Sequence, residues 1–150
     1  PLAPSPARLL ATDAARASLK GFLTGSIDVV LKLPREGFVV VDYKTNRFPV
    51  PPEQELSVEH YHPSAMAEAM MQAHYPLQAL LYCAALHRFL AWRLPGYSPG
   101  KHLGGVGYLF VRGMAGPGTP VVAGGRCGVF EWFPPAELVV EVSDLLGGGR

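Results

Sequence analysis

Asp42 and Lys44 stand two residues apart at the end of FVVVDYK, residues 38–44. Side chains alternate across a strand, so this carboxylate and this ammonium share one face. A second acid, Asp28, sits in GSIDVVLKL at 25–33, and PREG at 34–37 separates the two runs as a turn. The pair is therefore expected to form an antiparallel hairpin that brings Asp28 opposite about position 43. Within one residue of register, Asp28, Asp42 and Lys44 converge at the end of a sheet.

Two carboxylates held close repel one another unless a cation lies between them. A hard divalent ion resolves that repulsion, with Mg2+ preferred and Mn2+ acceptable, bound through carboxylates and several waters. Metal-bound water is a better nucleophile, and a nearby lysine can orient it or stabilise charge on a phosphate. These are the parts for hydrolysing a phosphodiester. The opposing interpretation is a solvated strand end, where an exposed Asp–Lys pair is worth under about 1 kcal/mol. Asp42 and Lys44 alone favour that interpretation. Asp28 between Ile27 and Val29 tips the balance, because an acid in mid-strand is costly without a partner. Gln78 and Tyr82, four apart on a helix, share a face and offer a donor, an acceptor and an aromatic plate. Their spacing alone fits the edge of a core.

The elements that position these groups read as follows. Residues 1–6 are proline-rich, and ARLLATDAARASL (7–19) fits a short helix. Lys20–Leu33 and FVVVDYK form the hairpin strands. Residues 45–63 hold four prolines and read as a surface loop. Ser64 is a candidate N-cap, and Pro76 splits the following apolar run into helices over about 64–74 and 76–93. The second of these has an apolar face through Leu77, Leu80, Leu81, Ala84 and Ala85. GGVGYLFVRG (104–113) is a third strand. Six glycines and two prolines in 113–128 predict a flexible connection, VFEWF a short strand, and PPAELVVEVSDLL a closing helix. The order predicts an α/β fold, a central mixed β-sheet flanked by α-helices. GYSPGK at 96–101 has too few residues between its glycines for a phosphate-binding loop and reads as an ordinary loop.

A chain of 150 residues, 49% apolar and 17% charged, fits one folded domain. Two cysteines, Cys83 and Cys127, exclude a four-cysteine metal site and fit a reduced, intracellular setting. No run approaches the roughly 20 apolar residues that span a bilayer. The start at Pro1, without methionine or leader-like pattern, reads as the interior of a longer protein. His60, His62, His74, His87 and His102 are scattered without a ligand-like cluster. Arg88, Arg93, Lys101 and Arg112 are candidates for lining a phosphate path and read equally well as ordinary solvated groups.

Gly25 to Asp28 (G-x-x-D), Asp42 to Lys44 (D-Y-K) and Gln78 to Tyr82 (Q-x-x-x-Y), in that order, together resemble the nuclease domains of RecB-type helicase–nucleases. These belong to the PD-(D/E)XK, or restriction-endonuclease-like, superfamily. The likeness covers about residues 20–113, the expected catalytic core, with 114–128 as loop and 129–150 as closing strand and helix. It implies that Asp28, Asp42 and the backbone carbonyl of Tyr43 ligate Mg2+. It makes Lys44 the catalytic lysine and counts Gln78 and Tyr82 among the catalytic residues, bordering the active site and the DNA path. It also implies upstream helicase domains, RecC-like and RecD-like subunits, DNA as substrate and the bacterial cytoplasm as location. The family carries a further metal-ligating histidine on an upstream helix, and before Asp28 this chain has only Asp13 as an acid and no histidine. A non-catalytic, DNA-guiding scaffold is the rival reading.

Overall fold

The computed structural model describes residues 24–35 and 37–147. The expected helix over 7–19 and the start of the first strand at Lys20 lie outside the described residues. Strand β1 is Val29–Leu33 and β2 is Gly37–Lys44, paired antiparallel with Val29 facing Val41 and Leu33 facing Gly37. The first strand is thus shorter than its sequence predicts, and Asp28 stands one residue before the ladder. Continued by one step, the register sets Asp28 against Asp42, one position short of the predicted partner.

Strand β3, Leu103–Phe110, lies parallel to β2, and β6, Val129–Trp132, is antiparallel to β3. The sheet order is β1-β2-β3-β6, the expected mixed sheet. A parallel neighbour requires a crossover, which is supplied by α1 (Pro63–Gln72), α2 (Tyr75–Arg93) and a single helical turn, α3 (Pro99–His102), in the expected GYSPGK loop. Helix α4, Ala136–Leu146, closes the chain against α2.

The valines of β2 serve both faces of that strand. Val40 joins Val106, Tyr108 and Phe110 in the main core, together with Met66 and Met70 of α1 and Ala79, Leu80, Cys83, Leu86 and Leu90 of α2. The α2 face is therefore rotated from the predicted one, and Leu77 and Ala85 are exposed. The α1–α2 break falls at His74, which adopts a left-handed φ of 55°, and Pro76 occupies the first turn of α2. Helix α1 is capped by His62 and not Ser64: the His62 ring accepts from the Ala65 amide at 3.3 Å, with Pro63 at the first helical position.

The proline-rich loop is also more tied down than its composition predicts. Tyr61 is fully buried, stacks on Phe48 with ring centroids 4.4 Å apart, and donates to the Asn46 carbonyl at 2.7 Å. Gly113 passes so close to Tyr61 that a Cβ at position 113 would lie 2.3 Å from the tyrosine Cβ. The third strand accordingly stops at Phe110 and turns through a 3-10 segment, Val111–Gly113. The glycine-rich connection carries another such turn, Gly116–Gly118, and a ribbon of β4 (Val121–Val122) with β5 (Gly125–Arg126). No helix among the described residues is long and apolar enough to cross a membrane.

Candidate active site

Asp42 and Lys44 close β2 on the face that carries the core. Only 5% of Asp42 and 8% of Lys44 is exposed, which overturns the solvated-end interpretation. Lys44 Nζ lies 2.7 Å from Asp42 Oδ2. On its other side the ammonium donates to Gln78 Oε1 at 2.9 Å, and Gln78 Nε2 donates to Tyr82 Oη at 3.1 Å. One helical turn of α2 therefore delivers an amide to the lysine and a tyrosine to the amide. The spacing of Gln78 and Tyr82 fits a core edge, and the tertiary contact makes it a relay ending on Lys44.

Asp28 is exposed, so its importance does not come from a desolvation cost in mid-strand. It comes from position. Asp28 Oδ2 accepts from the Tyr43 amide at 3.0 Å, just beyond the end of the β1 ladder. In a strand the N–H and C=O of one residue project to the same edge, so the Tyr43 carbonyl faces the side on which Asp28 lies. The Tyr43 ring points away from Asp42 and Lys44 and is half exposed. Gly25 lies near Tyr82, since a Cβ added at Gly25 would stand 3.7 Å from the ring. That proximity brings the first motif beside the third.

Two tyrosines absent from the sequence-derived set complete the surroundings of Lys44. Its Nζ lies 3.8 Å from the ring centroid of Tyr75 and 5.1 Å from that of Tyr108. The rings stack 5.8 Å apart at 12°, and Tyr108 Oη donates to the Tyr75 carbonyl at 3.2 Å. Tyr75 was findable, standing three residues before Gln78 and so on the same helix face. Tyr108 was not, because it meets Asp42 only through the parallel β2–β3 register. Burial, followed by the negative charge of Asp42, raises the Tyr108 phenol above its usual range and keeps it a proton donor.

The donor set fits a hard divalent ion. Asp42 Oδ2 is buried and has no hydrogen-bond partner, the 2.7 Å contact with Lys44 being an ion pair without hydrogen-bond alignment. A buried carboxylate oxygen already facing a cation is the kind of donor that a hard divalent ion takes. Two carboxylates and a main-chain carbonyl leave room for the waters that Mg2+ retains. Among the described residues no group of three or more histidine, cysteine or acidic side chains gathers around a possible metal position.

The two candidate arginines occupy different places. Arg112 is exposed and donates from Nε to the Thr45 carbonyl at 3.1 Å, one residue beyond Lys44. Arg88 is engaged with α4, donating from Nε to Ser143 Oγ at 2.9 Å and from a terminal nitrogen to the Ser143 carbonyl. Cys83, 1% exposed, is a core residue whose thiol burial pushes up to about 12.

The family pattern described as PD-(D/E)XK nuclease superfamily matches residues 3–129. A Mycobacterium tuberculosis protein named RecBCD enzyme subunit RecB is 52% identical over 150 residues, all of this chain and 13% of the relative. Its Mycolicibacterium smegmatis counterpart of the same name is 57% identical over 128 residues, covering 85% of this chain and 12% of that protein. The Escherichia coli protein of that name is 34% identical over 131 residues, 87% of this chain and 10% of the relative. The chain thus spans about an eighth of the length of the two mycobacterial relatives.

Proposed function

The chain belongs to the PD-(D/E)XK nuclease superfamily, and from that premise we propose that it is the DNA-cleaving domain of a RecBCD-type helicase–nuclease. Its mixed sheet with flanking helices is the α/β, restriction-endonuclease-like arrangement of that superfamily. The reaction proposed is metal-dependent hydrolysis of phosphodiester bonds in linear DNA, in the service of double-strand break repair.

The observation that carries this reading is the sealed Asp42–Lys44 pair, held from behind by Gln78 and flanked at the strand edge by Asp28. Asp28, Asp42 and the Tyr43 carbonyl would hold Mg2+, or Mn2+ in its place. The bound ion supplies a more acidic water and neutralises charge on the scissile phosphate. Lys44 places a fixed positive charge beside that phosphate, in a setting where it needs no reorganisation at the moment of reaction. Gln78 fixes the rotamer of Lys44, and Tyr82 fixes that of Gln78. Arg112, exposed beside Thr45, adds positive charge along the approach of the DNA backbone. We assign Arg88 a smaller part in DNA contact, since its guanidinium is engaged with Ser143.

RecC-like and RecD-like subunits, helicase domains in the same polypeptide and a bacterial cytoplasmic location complete the proposal. The test is Asp42→Ala in the intact protein that carries this chain. Degradation of linear DNA should disappear while the circular dichroism spectrum is retained. Degradation at the wild-type rate would overturn the assignment. An intact protein that binds neither Mg2+ nor Mn2+ in a calorimetric titration would favour the scaffold reading instead.

A further inference from the structure

Lys44 is nearly sealed from solvent, and among the described residues its charge is balanced by one carboxylate, that of Asp42. The oxygen that faces Lys44 is the same one that a metal bound at Asp42 would draw on. An ion drawn to Asp42 competes with Lys44 for its charge, and a buried ammonium without compensation is expensive. Some other group must hold the lysine when Asp42 is engaged. Gln78 Oε1 offers a neutral dipole at 2.9 Å. The Tyr75 ring offers the negative face of a π system at 3.8 Å, and the Tyr108 ring flanks the ammonium at 5.1 Å.

The ring suits this task because it does not compete for the metal. Hard divalent ions take oxygen donors, so the ring face stays on the ammonium whatever Asp42 binds. Tyr75 is also held in place from several sides. It begins α2 between the left-handed His74 and Pro76, its hydroxyl lies 3.4 Å from the side chain of Asn46, and its carbonyl accepts from Tyr108.

We infer that Tyr75 is a positioning residue for the nuclease reaction, its ring face holding the Lys44 ammonium in place when Asp42 is given over to the metal. The inference rests on the nuclease reading of the site. It assigns Tyr75 no proton transfer and no contact with DNA. The hydroxyl is secondary, and the ring's electron density is what matters.

The experiment replaces Tyr75 in the intact protein by phenylalanine and then by mono-, di- and trifluorinated phenylalanines, which drain the ring face while nearly preserving its shape. Single-turnover cleavage of linear DNA, apparent KM for DNA and melting temperature are measured for each. Tyr75→Phe should retain most activity. The cleavage rate should then fall stepwise with each fluorine, by about 30-fold across the series, the size of a desolvated cation–π contact. KM and melting temperature should stay constant, which a purely structural role does not predict. A flat series overturns the inference, and so does a loss already complete at Tyr75→Phe, which would assign the role to the hydroxyl. If the wild-type protein itself does not cleave, the nuclease reading fails and this inference falls with it. Tyr75→Leu, which risks the core, serves only as the lower bound.

Discussion

Lys44 Nζ approaches Asp42 Oδ2 to 2.7 Å on the sealed face of β2, while Asp28 stands outside the same strand end, bonded to the Tyr43 amide. The lysine and the acid are thus bound to each other before any substrate arrives. Each holds the other's charge in a region that water scarcely reaches. This mutual hold gives the site consequences that can be measured one residue at a time.

Replacing the lysine frees the acid. Lys44→Met removes the competing ammonium, so affinity for Mn2+ is expected to rise by roughly tenfold while cleavage falls by about a hundredfold or more. Calorimetric titration of the intact protein checks the first part and a linear-DNA assay the second. Unchanged or weaker metal affinity would show that Asp42 does not serve both cations.

The relay behind the lysine is graded. Gln78→Leu removes the acceptor on Lys44 Nζ and should lower the cleavage rate by about 10- to 100-fold, the worth of a hydrogen bond to a charged group. Tyr82→Phe leaves that bond intact and should cost no more than roughly threefold. A Tyr82→Phe loss as large as that of Gln78→Leu would give the hydroxyl a direct role.

Away from the site, Gly113 is fixed by space. A methyl group there collides with Tyr61, itself bonded to the Asn46 carbonyl two residues beyond Lys44. Gly113→Ala is expected to destabilise the domain by about 2 kcal/mol, read as a lower urea midpoint. An unchanged midpoint would mean that the loop bearing Tyr61 yields more easily than its packing implies.

Acid should loosen the far end of α2. Burial lowers the pKa of His87 below its ordinary 6.5, opposed by Asp144 and assisted by Arg88. Below 6.5 the unfolded chain takes up a proton that the folded His87 resists, so the stabilisation is complete above 6.5 and is lost as the pH falls toward the lower folded value. His87 also pairs with the Tyr97 hydroxyl at 2.9 Å. Melting temperature should therefore drop between pH 7 and pH 5, and His87→Gln should shrink that drop. An identical slope in the variant would place the proton uptake elsewhere.

The placement of the candidate site's side chains was legible in the chain because it is local. A two-residue spacing on a strand sets Asp42 and Lys44 on one face, a four-residue spacing on a helix sets Gln78 beside Tyr82, and a tight turn folds Asp28 back toward both. Runs of β-branched residues and the break at Pro76 likewise gave strands and helices close to those observed. What the chain did not disclose is non-local. His62 displaced Ser64 as a helix cap because chain entry to α1 is set by a loop anchored through Tyr61. The buried face of α2 turned away from Leu77 because helix packing, and not average apolarity, selects the inward side.

The sequence alone therefore determined which candidate site side chains this protein carries and the order of the elements that bear them, since alternation and helical periodicity act over a few residues. Only the tertiary structure decided that Lys44 is sealed between a carboxylate, an amide and an aromatic face. Those three partners come from one strand and the start of a helix more than thirty residues away, and Tyr108 flanks the ammonium from a parallel strand. Such a meeting depends on how a crossover packs onto a sheet, which no spacing along the chain encodes.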